Sequence, residues 1–211
     1  MTTSWKTISS LKTLRVAKYK QRKQLYKSGE IKDQDVSVGA CTGLSFYWVK
    51  YHHLNPHEEP ASRLSHLLPG DNFEGIKAIA RRMNSELKSV DYPQKIRDVA
   101  VKALGSKDNQ IIHRIGARLT FSDVSRGGPY GVVYMVLRHS EGNTNHMCAF
   151  HRGADRLTWF DPNFGEFSVP IGNASQFLNN IPDQYETYVT ATGKKTPVTI
   201  MRYVVGIVRP T

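Results

Sequence analysis

Cysteine is scarce in this chain: Cys41 and Cys148 are the only two in 211 residues. Two thiols cannot build a disulfide scaffold, so an apolar core must hold the fold, and a reducing working compartment is expected. No apolar run approaches the length of a membrane-spanning helix. Met1 to Ser10 lacks an apolar h-region, so no Sec signal peptide is expected. No internal repeat or low-complexity segment is present, which sets aside solenoids and disordered linkers. Acid is in short supply: 18 Asp and Glu face 29 Lys and Arg, a net charge of +11.

What remains suits a globular domain, with 39% hydrophobic and 22% charged residues in a length that supports one sizeable core. The charge excess is local. The first 32 residues hold nine Lys or Arg against one acid, Glu30, a local balance of +8. Residues Ser9 to Ser28 read as a basic helix with Leu11, Leu14 and Leu25 as a thin apolar stripe. Residues 1–30 are therefore expected to form a basic helical arm and residues 31–211 the main domain. Such an arm contacts anionic membrane or is simply solvated; a specific nucleic-acid partner is not expected.

Helical patterns follow. A helix from about Thr42 to His52 carries Leu44, Trp48 and Tyr51, after a connector from Gly29 to Gly39. Asn55 to Gly70 reads as a long loop. Phe73 to Leu87 places Ile76, Ile79, Ala80 and Met83 on one face, and Pro93 to Leu104 opens on proline and stops at Gly105. Strand texture then takes over at Tyr130–Arg138, His146–His151, Arg156–Phe160 and Thr199–Val208, with a short helix at Asn173–Asn180. Helices first and strands second predict an α+β fold with an antiparallel sheet.

Chemistry concentrates at Gly39-Ala40-Cys41-Thr42-Gly43-Leu44-Ser45. A helix starting near Thr42 puts Cys41 at its N-terminus, where unpaired N–H groups and the helix dipole favour a thiolate. The alternative is a buried structural thiol. A nucleophilic cysteine needs an imidazole to share its proton and a group to orient that imidazole. His146 and Asp161 are candidates, both at strand ends in the second half. A cleft between the helical part and the sheet would unite the three.

Gly39-x-Cys41-x-x-Leu44-Ser45-x-x-Trp48, His146 before small and apolar strand residues, and Phe160-Asp161-Pro162-Asn163-Phe164-Gly165-Glu166-Phe167 together resemble the YopT/AvrPphB family of papain-clan cysteine proteases. Members are bacterial effectors delivered into host cells. The resemblance implies a papain-like fold, with Cys41 as nucleophile, His146 as base and Asp161 as its orienter. It further implies a cysteine endopeptidase, secreted and acting on a host protein in the cytosol or at the inner membrane surface. No cofactor and no metal are implied, and a monomer is expected. A papain-clan oxyanion hole uses a side-chain amide upstream of the nucleophile. Here Gln34 is the candidate, beside the Cys41 N–H; Asp35 when ionised can only accept. Some members act on prenylated Rho GTPases. A polybasic tail is not the expected substrate at this net charge, unless Glu58, Glu59, Asp71 and Glu74 form an acidic groove.

Other functions stay open. The same triad serves deamidases, transglutaminases and acyltransferases. A non-catalytic basic adaptor for membrane or nucleic acid is the alternative of a different class. Among other residues, His52, His53, His57, Glu58 and Glu59 lack the spacing of a zinc motif. Cys148 reads as core. His151 is a rival base on the strand face opposite His146. Asn163 reads as a turn residue, and Gly127-Gly128-Pro129 as a loop. Finally, a two-residue type II′ loop at Gly153-Ala154 would place His146 opposite Asp161 and Cys148 opposite Trp159, over a dry floor with Phe150 and Leu157. The opposite face, with His151 and Arg156, would be the wetter one.

Overall fold

Seven strands form one antiparallel sheet, and helices cover both of its faces. The structure is a computed structural model that describes residues 9–26, 34–70, 73–85, 92–105, 110–114, 118–185, 187–189 and 195–210. In chain order the elements are α1 (Ser9–Lys12), β1 (Arg15–Lys18), α2 (Gln34–Leu54), α3 (Pro60–Ser65), α4 (Phe73–Ser85), α5 (Tyr92–Leu104) and β2 (Gln110–Arg114). There follow α6 (Phe121–Ser125), β3 (Tyr130–His139), β4 (Gly142–Arg152), β5 (Arg156–Asp161), β6 (Gly165–Pro170), α7 (Ala174–Asn179), β7 (Thr187–Val189), β8 (Lys195–Pro197) and β9 (Thr199–Val208). The sheet order is β1-β6-β5-β4-β3-β9-β2, and β7 pairs with β8 separately. No described helix is long and apolar enough to cross a membrane.

The near-continuous apolar run of β3 has a simple cause: both faces are covered. Val132, Tyr134 and Val136 join a core with α2, α4 and α5, while Val133, Met135 and Leu137 join a second core with α6 and α7. The face carrying Cys148, Phe150, Leu157 and Trp159 is dry, as the sequence suggests. The opposite face is the wetter one at His151, which is half-buried, and at Arg156, which is exposed, but α2 covers the rest of it and buries Met147, Ala149 and Phe160 completely.

Two expectations are corrected. The basic segment is not one long helix. After α1 it forms β1, which pairs with β6, and then a π-helical turn at Arg22–Tyr26. Leu11, Tyr19 and Leu25 are buried, and the Tyr19 O–H donates to the Leu67 carbonyl at 2.9 Å. The three lie in α1, just after β1 and in the π-helical turn, so they are buried from separate short elements rather than along one helical stripe. The second correction concerns α2. It begins at Gln34, so Cys41 lies in its third turn, not at its N-terminus. The dipole argument for a thiolate weakens accordingly, since that effect fades beyond the first turn.

Gly39 reads as a helix breaker, yet it serves packing. A Cβ there would lie 2.5 Å from the Ala80 carbonyl oxygen, and one at Gly43 would lie 2.5 Å from that of Ile76. The two glycines let α2 and α4 touch backbone to backbone on either side of Cys41. Gly43→Ala should therefore destabilise the fold by about 1–3 kcal/mol through overpacking. Urea denaturation tests this, and an unchanged midpoint would contradict so close a crossing.

Candidate active site

The site is built on the β4–β5 hairpin and the turn that follows it. The ladder pairs Ala149 with Phe160, Phe150 with Trp159 and Arg152 with Leu157. That register is two residues off the expected one. Gly153 does not take the positive φ that a type II′ turn needs; the loop closes instead through Gly153 N–H to Arg156 O at 2.9 Å. A slip of two keeps each side chain on its face. Continued by one step, the register puts Cys148 opposite Asp161, and His146 reaches the same carboxylate diagonally.

Asp161 is completely buried and accepts four hydrogen bonds from the described residues. His146 Nε2 lies 3.0 Å from Oδ1, and the Asn163 backbone N–H donates to Oδ1 at 2.8 Å. The Cys148 thiol donates to Oδ2 at 3.3 Å, and the Tyr185 hydroxyl also donates to Oδ2. Gly165 makes the turn possible: its φ is +117°, and a Cβ there would sit 2.0 Å from the Ala17 carbonyl oxygen.

These contacts fix the charges. Burial drives the Asp161 carboxyl up, but the His146 imidazolium and the surrounding donors outweigh it and hold the group below the usual aspartate range. Burial also disfavours a charged His146, yet the Asp161 carboxylate overrides this and lifts the imidazole well above its ordinary value. Burial pushes the Cys148 thiol up, so it stays a donor to Asp161. His146 Nδ1 points the other way and lies 3.5 Å from Asn163 Nδ2, at the outer limit of a hydrogen bond. Asn163 is thus a turn residue that also touches the imidazole.

Cys41 is 6% exposed and belongs to the α2-side core. One turn further along α2, the Ser45 hydroxyl donates to the Met147 carbonyl at 3.0 Å, which ties the helix to the residue next to His146. Among the described residues no hydrogen bond joins the Cys41 thiol to His146, so the structure unites His146 with Asp161 and leaves Cys41 unbonded. Gln34 opens α2, seven residues and about 10 Å of helical rise before Cys41, and its side chain lies outside the described residues. The Cys41 N–H, inside a helix, is turned to the carbonyl four residues back.

The rival residues lie elsewhere. The His151 ring packs on His52 and Tyr130 on the α2 side of the sheet. Burial and then Arg63 lower both histidines, His52 to about 3. His53 packs edge-on to Tyr130. Of the possible acidic groove, Glu58 is engaged by Ser62 and His66, Glu74 by Lys77, and Asp71 lies outside the described residues. His146, Cys148 and Asp161 offer ligand atoms within 4.8 Å of one another, the one such group among the described residues. A cation there would displace the Nε2 and Sγ protons that now bind Asp161, so the cluster reads as a cradle of donors for a carboxylate.

Sequence reasoning missed Tyr185, which stands 24 residues beyond Asp161 with no local motif. It also missed the buried pair Arg63–Glu166 at 2.6 Å, with Trp48 Nε1–H on the other Glu166 oxygen at 2.8 Å. The donor role of Cys148 was within reach, since its offset of two from His146 already put it on the same face.

The family described as Yersinia/Haemophilus virulence surface antigen matches residues 9–199. A protein of Sinorhizobium fredii named as the YopT-like cysteine protease y4zC is 23% identical over 175 residues, 76% of this chain and 64% of that protein. One of Bradyrhizobium diazoefficiens, named as YopT-like blr2140, is 26% identical over 158 residues, 68% of this chain and 56% of that protein. The chain thus spans under two thirds of the length of these relatives. The crystal structure of the Pseudomonas avirulence protein AvrPphB aligns with a TM-score of 0.53 and 22% identity, covering 81% of this chain and 94% of that one. The α+β, papain-like fold expected from the sequence is the fold found.

The charges of the pair predict a pH window. A raised His146 contributes stability that is complete below its unfolded value of 6.5 and is lost as pH rises through the folded value. A lowered Asp161 contributes stability that is complete above its unfolded value of 3.8 and is lost as pH falls through the folded value. Wild type should exceed Asp161→Asn in unfolding free energy most between pH 3.8 and 6.5. Urea titrations across pH measure this; a gap that does not vary with pH would rule out an ion pair.

Proposed function

The chain belongs to the Yersinia/Haemophilus virulence surface antigen family, and from that premise we propose that it is a cysteine endopeptidase working through Cys41, His146 and Asp161. The observation that carries the reading is the buried His146–Asp161 pair, which leaves Nδ1 as the ring nitrogen that Asp161 does not engage. In the proposed cycle the Cys41 proton resides on Nδ1 once the two side chains meet, in line with the raised imidazole, and the thiolate forms the Sγ–carbon bond at the substrate carbonyl. The imidazolium returns that proton to the leaving amine as the C–N bond breaks. Water, deprotonated by the same nitrogen, then splits the thioester and releases the acid. Asp161 holds Nε2–H throughout and so keeps Nδ1 facing the thiol.

Cys41 packs on the α2 side of the sheet whereas His146 shares the other face with Cys148, so the proposed cycle requires the two to approach when substrate binds, as catalytic contacts often tighten only then. Gln34 stays the proposed side-chain donor to the oxyanion, and it reaches the site only if the first turns of α2 open. The substrate is a protein, and the family of bacterial virulence proteins favours a host protein met after secretion. The Lys and Arg excess of the N-terminal segment supports contact with anionic membrane.

Cys41→Ala should abolish proteolysis at wild-type stability. New protein N-termini in host lysate should appear with wild type and not with the variant. Iodoacetamide should label Cys41 before Cys148, because Cys41 keeps 6% exposure while Cys148 has none and its thiol is pushed up by burial. Faster labelling of Cys148, or cleavage by Cys41→Ala, would sink the assignment.

A further inference from the structure

The proposed hydrolysis uses Asp161 Oδ1, whereas Oδ2 holds two donors that no step of it consumes. They are the Cys148 thiol at 3.3 Å and the Tyr185 hydroxyl. A carboxylate has two like oxygens and can offer either to an imidazole by rotating about its Cβ–Cγ bond. Donors fixed on one oxygen remove that freedom. The phenol is the stronger of the two, because a thiol donates weakly.

Tyr185 is itself held from several sides. It ends the 3-10 turn Pro182–Tyr185 and is 1% exposed. Its ring lies 5.5 Å from the His146 ring and 5.5 Å from the Phe164 ring, centroid to centroid. Burial and the Asp161 charge raise the phenol well above its ordinary value, so it keeps its proton and stays a donor. One side chain therefore touches both members of the pair, the carboxylate through its hydroxyl and the imidazole through its ring.

We infer that Tyr185 is a positioning residue for His146, acting through Asp161 Oδ2, with Cys148 as the weaker support on the same oxygen. The inference rests on the triad reading for its effect on turnover, but the bonding it describes does not. Without the hydroxyl, Asp161 turns between its two oxygens, and the Nε2–H bond opens to water. The imidazole then loses its fixed tautomer and orientation.

Tyr185→Phe removes one oxygen and keeps the ring. Its kcat should fall about 10- to 100-fold, as for a lost hydrogen bond to a charged group, with KM within twofold. The second readout uses no turnover. In Cys41→Ala protein labelled with 15N-histidine, the His146 Nε2–H should give a downfield, slowly exchanging resonance, assigned by its loss in Asp161→Asn. Adding Tyr185→Phe should broaden it by solvent exchange while the circular dichroism spectrum stays unchanged. A kcat within twofold of wild type, or an unchanged resonance, overturns the role. Should Tyr185→Phe fail to fold, Cys148→Ala tests the same oxygen: kcat should fall severalfold and Cys148→Ser recover part of it, whereas an Ala variant at the wild-type rate overturns the role given to Oδ2. The NMR result decides the positioning role even if Cys41→Ala keeps activity, an outcome that would overturn only the choice of nucleophile.

Discussion

A carboxylate with no exposure to water is the constraint around which this fold closes. Removing such a charge from water costs several kcal/mol even after relaxation, and only a full set of donors offsets it. Asp161 obtains its donors from separate parts of the chain: two side chains on β4, the turn between β5 and β6, and the 3-10 turn that ends at Tyr185. None of these segments can shift alone without leaving a buried anion short of a partner. The fold is thus tightest where the proposed chemistry needs fixed geometry.

A second buried carboxylate stands five residues on and serves the other face of the sheet. Glu166 accepts from Trp48 on α2 and Arg63 on α3, and so fastens two helices to β6. The two groups answer burial differently. Asp161 is held below its usual range, while burial lifts Glu166 above its own despite Arg63. The donors around each account for this. Asp161 has four, one of them an adjoining imidazolium, and Glu166 has the indole and one guanidinium nitrogen. The turn between them, with Gly165 at its positive φ, sends one carboxylate to each core.

Much of the site was legible in the sequence, and the reasons are physical. His146 and Asp161 share a face because strand alternation depends only on parity, so a hairpin register wrong by two still puts them together. Helix α4 kept its predicted face because Ile76, Ile79, Ala80 and Met83 follow the helical period. The start of α2 was not legible: Gly39 looks like punctuation until Ala80 lies against it. Likewise α3 and Arg63 sit in what reads as a proline-rich loop, and Tyr185 has no neighbour in sequence to mark it. Residues that act at long sequence separation leave no local pattern.

Histidine shows how far environment decides chemistry here. His146 and His151 lie on one strand, five residues apart, and both are largely buried. Burial alone pushes either toward the neutral form. On one face Asp161 reverses that push and raises His146, so the imidazole can hold a proton once it has taken one. On the other face His151 meets Arg63 and Arg152, which add to the push, and its neighbours His52 and Tyr130 supply no negative charge. A base that must carry a proton between two steps needs its charged form to be stabilised, not merely tolerated. The sheet separates the two histidines by one layer of backbone, and the Asp161 carboxylate on one side of it distinguishes the proposed base from a packed ring.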